Sequence, residues 1–173
     1  FAMRILMVFT SIFSYKINQL FSAAKYKNSD SFNFEAPLTS LIWLTSIVSI
    51  VITFLISYFL LSNNSIANEY SADLWWRLAS IISLGTLAAA IIPEFTKIFT
   101  SSRSTHVKEI VSASKEGGPS LNILSGIVAG NFSAFWQGIV MAALMLGGFF
   151  ISLSGLHIFG EYSSIFAFGL IAF

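Results

Sequence analysis

The chain has 173 residues, of which 55% are hydrophobic and only 10% charged, with a net charge of +1 and no cysteine. A soluble domain is roughly a quarter charged, so a chain this apolar lacks the polar surface to stay in water. The absence of cysteine excludes disulfides, thiolate metal sites and cysteine nucleophiles, and the balanced charge gives no reason to expect nucleic acid as a partner.

In chain order, the first apolar run, Phe1 to Phe13, is broken only by Arg4 and leads into Tyr15, Lys16, Asn18 and Gln19. It reads as a spanning helix over 1–21, and not as a signal peptide, since it has no cleavage site and runs into a loop that precedes another span. Residues 22–37 form a polar loop with Lys25, Lys27, Asp30 and Glu35. Pro37 opens a second span, 38–61, where its missing N–H costs nothing at a helix start. That span carries no charge, and a run of this length fits a spanning helix better than a strand.

A short loop with Asn63, Asn64, Asn68 and Glu69 follows, and the third span, 74–99, begins with Trp75, Trp76 and Arg77. Paired tryptophans beside a cation are the usual anchor at a membrane–water boundary. Pro93 is the one residue expected to break this span, and Glu94 follows it one turn before Lys97. The polar stretch 100–119 contains a short surface helix from His106 to Lys115. Ser104 or Thr105 caps it, Val107, Ile110 and Val111 form its apolar side, and Gly117, Gly118 and Pro119 stop it. A fourth span covers 120–153, a loop with His157 and Glu161 follows, and a fifth span, 164–173, begins near Ser164. Spanning a bilayer takes about 20 apolar residues, so the end runs are expected to continue beyond the sequence. The fold class is therefore all-α, a polytopic transmembrane helix bundle of four to five spans.

Lys25 and Lys27 occupy the first loop, and Lys97, Arg103, Lys108 and Lys115 the third, whereas Arg4 and Arg77 sit at span borders on the other side. By the positive-inside rule the loops 22–37 and 100–119 are cytoplasmic.

On the fourth span Gly126, Gly130, Ala134, Gly138 and Ala142 recur every four residues, which predicts close helix packing within the bundle or at a subunit interface. Asn122, Asn131 and Gln137 are polar groups that need partners inside protein, between helices or along an ion path. Glu94 is the one acid that could lie at membrane depth, and a pair with Lys97 at the helix end accounts for it. His106 is expected in solvent, and His157 in an external loop as a belt residue. The chain has no paired carboxylates, phosphate-binding loop, nucleophile elbow or acidic metal motif, so catalytic, metal and substrate-binding residues are all read as none.

The stretch from Glu94 to Trp136 carries a more specific pattern. Thr96, Lys97, Ile98, Phe99 and Thr100 end one helix, Val107, Ile110 and Ser114 mark the short one, and Gly118, Asn122, Ile123, Gly126 and Gly130 open the next. This resembles the membrane-integral, ion-pumping inorganic pyrophosphatases. Ile98 stands where that family has tyrosine, Leu121 where it has threonine, and the glycine turn is one residue longer. The resemblance implies a sixteen-helix bundle in a homodimer in a bacterial plasma membrane. Pyrophosphate and Mg²⁺ bind on its cytoplasmic side, and hydrolysis drives H⁺ or Na⁺ outward. The family's ligand clusters lie on inner helices, whereas this chain would supply the seventh to tenth helices of the outer ring and the start of the eleventh. No catalytic residue is carried over; the pumped ion and any K⁺ dependence stay open. The alternatives are a fragment of a secondary transporter and a non-catalytic membrane scaffold subunit.

Overall fold

The structure is a computed structural model that describes residues 2–26, 35–61, 73–154 and 156–172. The expectations for Lys27, Asp30, Asn63, Asn64, Asn68 and Glu69 lie outside the described residues, as do the side chains of Arg4 and His157. Helix α1 is Ala2–Tyr26, α2 Glu35–Leu61, α3 Leu74–Thr100, and α4 Thr105–Leu153. A 3-10 turn, His157–Tyr162, leads into α5, Ser163–Ala172. There is no strand among the described residues.

Polarity is inverted relative to a water-soluble bundle. On α1 the buried residues are Thr10, Ser14 and Asn18, spaced i, i+4, i+8, while Ile5, Val8, Phe9, Ile12 and Phe13 are exposed. On α2 the buried residues are Ser46, Ser49, Thr53 and Ser57, while Leu38, Ile47, Val51, Leu55 and Phe59 are exposed. Burying hydroxyls and exposing large apolar side chains makes sense only if the surroundings are apolar. In lipid, small hydroxyl residues let helix backbones approach and leave the bulky side chains to the acyl chains. Residues Glu35–Leu61, and a stretch within Leu74–Leu153, are long and apolar enough to cross a membrane. The chain is an all-α membrane helix bundle.

Two compact units divide it, Phe1–Ala90 with Met145–Phe173, and Ile91–Leu144. In the first, α1 packs on α2, and the Asn18 side-chain amide donates to the Pro37 carbonyl at 3.1 Å. Ser57 donates to the Trp75 carbonyl at 2.6 Å, and the Tyr58 and Trp75 rings meet edge to face at 5.3 Å, which ties α2 to α3. The small apolar core comprises Ile81, Leu156 and Ala167, with Leu78, Ile151, Leu170 and Ile171 packed around it.

In the second unit, Pro93 sits inside α3, and the helix runs on past it to Thr100. The expected break is thus corrected. Proline forfeits its own N–H donor and crowds the preceding turn, but in a membrane helix neighbouring groups absorb that loss. Ser104 caps the start of α4, where its hydroxyl accepts the His106 N–H at 3.2 Å. Gly118 interrupts α4 at φ 64°, ψ −154°, backbone space open essentially to glycine alone, and Pro119 follows. The segment before Gly118 does not lie free on a surface, because its first turn meets the following segment at Phe132, where the His106 and Phe132 ring centroids are 6.2 Å apart. The glycine turn therefore closes a helical hairpin. Val107 and Ile110 are half-buried, whereas Val111 stays exposed.

Candidate functional site

The polar and aromatic groups of the second unit converge at the end of α3. Phe99 is buried there and stacks on the His106 imidazole, with centroids 4.7 Å apart and an interplanar angle of 20°. Phe132 meets Phe99 edge to face at 6.0 Å, and Trp136 continues the series at 6.2 Å from Phe132. The expectation that His106 is solvated is corrected: the fold of the hairpin turns it inward onto the aromatic cluster, and its Nδ1 lies 3.8 Å from the Glu109 carboxylate. Aromatic rings and cations at the end of an apolar helix mark a membrane–water boundary.

Each polar residue singled out from the sequence has a distinct place. Glu94 pairs with Lys97 at 3.5 Å across one turn, as its spacing suggests. The Gln137 amide donates to the Thr96 hydroxyl at 3.0 Å, an interhelical bond between α3 and α4. Asn122 and Asn131 are exposed, and neither side chain makes a hydrogen bond among the described residues. Gly130, Ala134, Gly138 and Ala142 are exposed and Gly126 half-buried, and a Cβ on any of the three glycines would meet nothing within 4 Å. The start of the stripe, Gly126, Gly130 and Ala134, lines a hollow shared with Phe99, Thr100 and Ile110, and no helix presses on its glycines among the described residues.

Close packing through glycine occurs elsewhere, in the first unit. A Cβ on Gly85 would overlap the Ile171 carbonyl, and one on Gly148 would overlap the Ile171 side chain. A Cβ on Gly147 would sit 3.4 Å from Leu84. These three glycines, which join α3, α4 and α5, did not stand out in the sequence because none belongs to a regular four-residue series. At the far end of α3, the Arg77 guanidinium donates to Ser154 at 3.0 Å, lies 3.8 Å from Asp73 and covers the Trp76 ring at 5.5 Å.

These residues do not fit a magnesium–pyrophosphate site. Such a site needs several hard oxygen ligands in one place. Among the described residues no group of three or more His, Cys, Asp or Glu could hold a metal ion. Glu94 and Glu109 each face a base on their own helix, Lys97 and His106, and Asp73, just before α3, faces Arg77. Glu116 accepts from the Ser112 hydroxyl at 3.4 Å. The geometry supports anchoring and helix packing.

The chain is similar to two curated proteins, each called a K(+)-insensitive pyrophosphate-energized proton pump. It is 50% identical over 173 residues to that of Chlorobaculum tepidum, covering all of this chain and 22% of the relative. It is 34% identical over 76 residues to that of Chloroflexus aurantiacus, covering 44% of this chain and 10% of the relative. The chain thus spans about a fifth of the length of the first of these relatives. No solved structure matches it. The family described as inorganic H+ pyrophosphatase matches residues 1–173, the whole chain, and to that family the chain belongs.

Proposed function

We propose that the chain is a structural segment of a membrane pump that hydrolyses inorganic pyrophosphate and moves H⁺ outward across a bacterial plasma membrane, without a requirement for K⁺. The observation that carries this reading is the 50% identity, unbroken over all 173 residues, to a protein named for that activity. The choice of H⁺ over Na⁺ and the K⁺ insensitivity rest on the same name. Pyrophosphate and Mg²⁺ would bind to residues elsewhere in the full-length protein, since the acids described here are dispersed. The chain's own part is to hold helices in place around that machinery: hydroxyl stripes join α1 to α2, glycines join α3, α4 and α5, and rings and cations pin the helix ends. The stripe Gly126, Gly130, Ala134, Gly138 and Ala142 would pack against helices outside this chain, in the same subunit or in a homodimer partner.

The test uses inside-out vesicles that contain the full-length protein. Added pyrophosphate with Mg²⁺ should acidify the lumen equally in K⁺ and K⁺-free medium, and a protonophore should abolish the gradient while raising phosphate release. Hydrolysis without acidification would overturn the pump reading. A K⁺ requirement would overturn only the K⁺-insensitive form of it.

A further inference from the structure

A cavity of about 460 Å³ opens at the end of α3, lined by Glu94, Lys97, Ile98, Ser101, Arg103 and Thr105 among others. Its charges are uneven. Glu94 is matched by Lys97 at 3.5 Å, but Arg103 makes no ion pair among the described residues. The Arg103 N–H bonds the Ser101 hydroxyl at 3.3 Å, which sets the turn that carries the guanidinium. Ser101 and Thr105 bring hydroxyls to the same space. The net result is a headgroup-sized, cation-biased hollow. A guanidinium fork beside an ammonium and hydroxyl donors is the chemistry that holds a phosphate.

The position of the cavity selects the source of that phosphate. It lies where the apolar run of α3 ends, and Ile98, one of its lining residues, is 54% exposed. Cations next to exposed apolar surface at a helix end match an amphiphile, with its phosphate on the cations and its tails along the helix. We propose that this cavity seats the phosphate of an anionic phospholipid, with Arg103 as its main contact and Lys97 as its second. Glu94 faces the same space and would keep Lys97 in place. The inference rests on the membrane reading of α3 and is independent of whether the protein pumps.

The experiment measures lipid retained by the purified full-length protein, by native mass spectrometry, after exchange into detergent with phosphatidylglycerol or phosphatidylcholine. The wild type should keep phosphatidylglycerol and show a raised melting temperature, with no response to phosphatidylcholine or to inorganic phosphate. Arg103→Gln should weaken retention about tenfold. Arg103→Lys should restore part of it, and Lys115→Gln, in the same basic stretch, should leave it unchanged. Equal retention by Arg103→Gln in a protein that elutes and melts like wild type would overturn the proposal. So would a melting shift with inorganic phosphate as large as that with the lipid, which would make the site one for a soluble anion.

Discussion

Single residues in this chain are governed by an apolar surrounding, and substitutions should follow that rule. The Ser14 and Thr53 hydroxyls are buried and find no hydrogen-bond partner among the described residues, so their value is their small size. Ser14→Ala should therefore be neutral within about 0.5 kcal/mol in the thermal unfolding of the full-length protein in detergent. Ser14→Leu should cost roughly 1–3 kcal/mol by wedging α1 from α2. A stable leucine variant would show that this face is open. Ser57 differs, because its hydroxyl donates to Trp75 at 2.6 Å, and Ser57→Ala should cost about 0.6 kcal/mol, the mean for interhelical bonds in membranes. Much at this scale was legible beforehand. The Glu94–Lys97 pair followed from helical spacing, and the Ser104 cap from residue type. His106 was not legible, because its half-buried place depends on the turn at 101–104 that stacks it on Phe99 and on the reversal at Gly118 that brings Phe132 beside it.

At the scale of helices, the glycine turn decides the shape of the second unit. Gly118 has φ 64° and ψ −154°, and a Cβ there would meet no neighbour, so the objection to a side chain is conformational and not steric packing. Gly118→Ala should cost about 1–3 kcal/mol and loosen the hairpin. Tryptophan fluorescence from Trp136, which ends the aromatic series that begins at His106, reports the change. Unchanged stability would mean that the turn adopts another conformation. The two kinds of small residue separate here as well. Gly85→Leu should destabilise the full-length protein strongly, since the Ile171 backbone occupies the space. Gly130→Leu would extend into the hollow beside Phe99, Thr100 and Ile110, so a cost of roughly 1–3 kcal/mol would report helices from outside this chain pressing on the stripe. Helix positions could be read from apolar runs and from Gly and Pro, but not all the ends: α1 runs on to Tyr26, past the expected end at residue 21, and α2 begins at Glu35, two residues before Pro37. Which glycines touch another helix could not, because periodicity along one helix carries no information about its neighbours. The hydroxyl faces of α1 and α2 were present in the sequence as Thr10, Ser14 and Asn18, and as Ser46, Ser49, Thr53 and Ser57. On an apolar helix, the sparse small polar side marks the packed face.

At the scale of the whole molecule, we propose that the chain contributes framework to a longer protein, since it spans 22% of its first relative. By the positive-inside rule, the basic residues Lys97 and Arg103 favour a cytoplasmic position for that end of α3, and we propose this topology. In intact cells, a cysteine at Ser102 should escape an impermeant thiol reagent, while one at Glu161 should react; the reverse pattern would invert the topology. In the function we propose, this segment holds a pyrophosphate-hydrolysing pump together without supplying its chemistry. Magnesium-dependent phosphate release by full-length protein carrying Glu94→Gln, Glu109→Gln and Glu116→Gln together tests it most directly. The account predicts turnover within a factor of about two of an active wild type, since no transition-state contact is lost. Loss of turnover to background, in a variant that folds and melts like the wild type, would place catalytic groups in this segment and contradict the account.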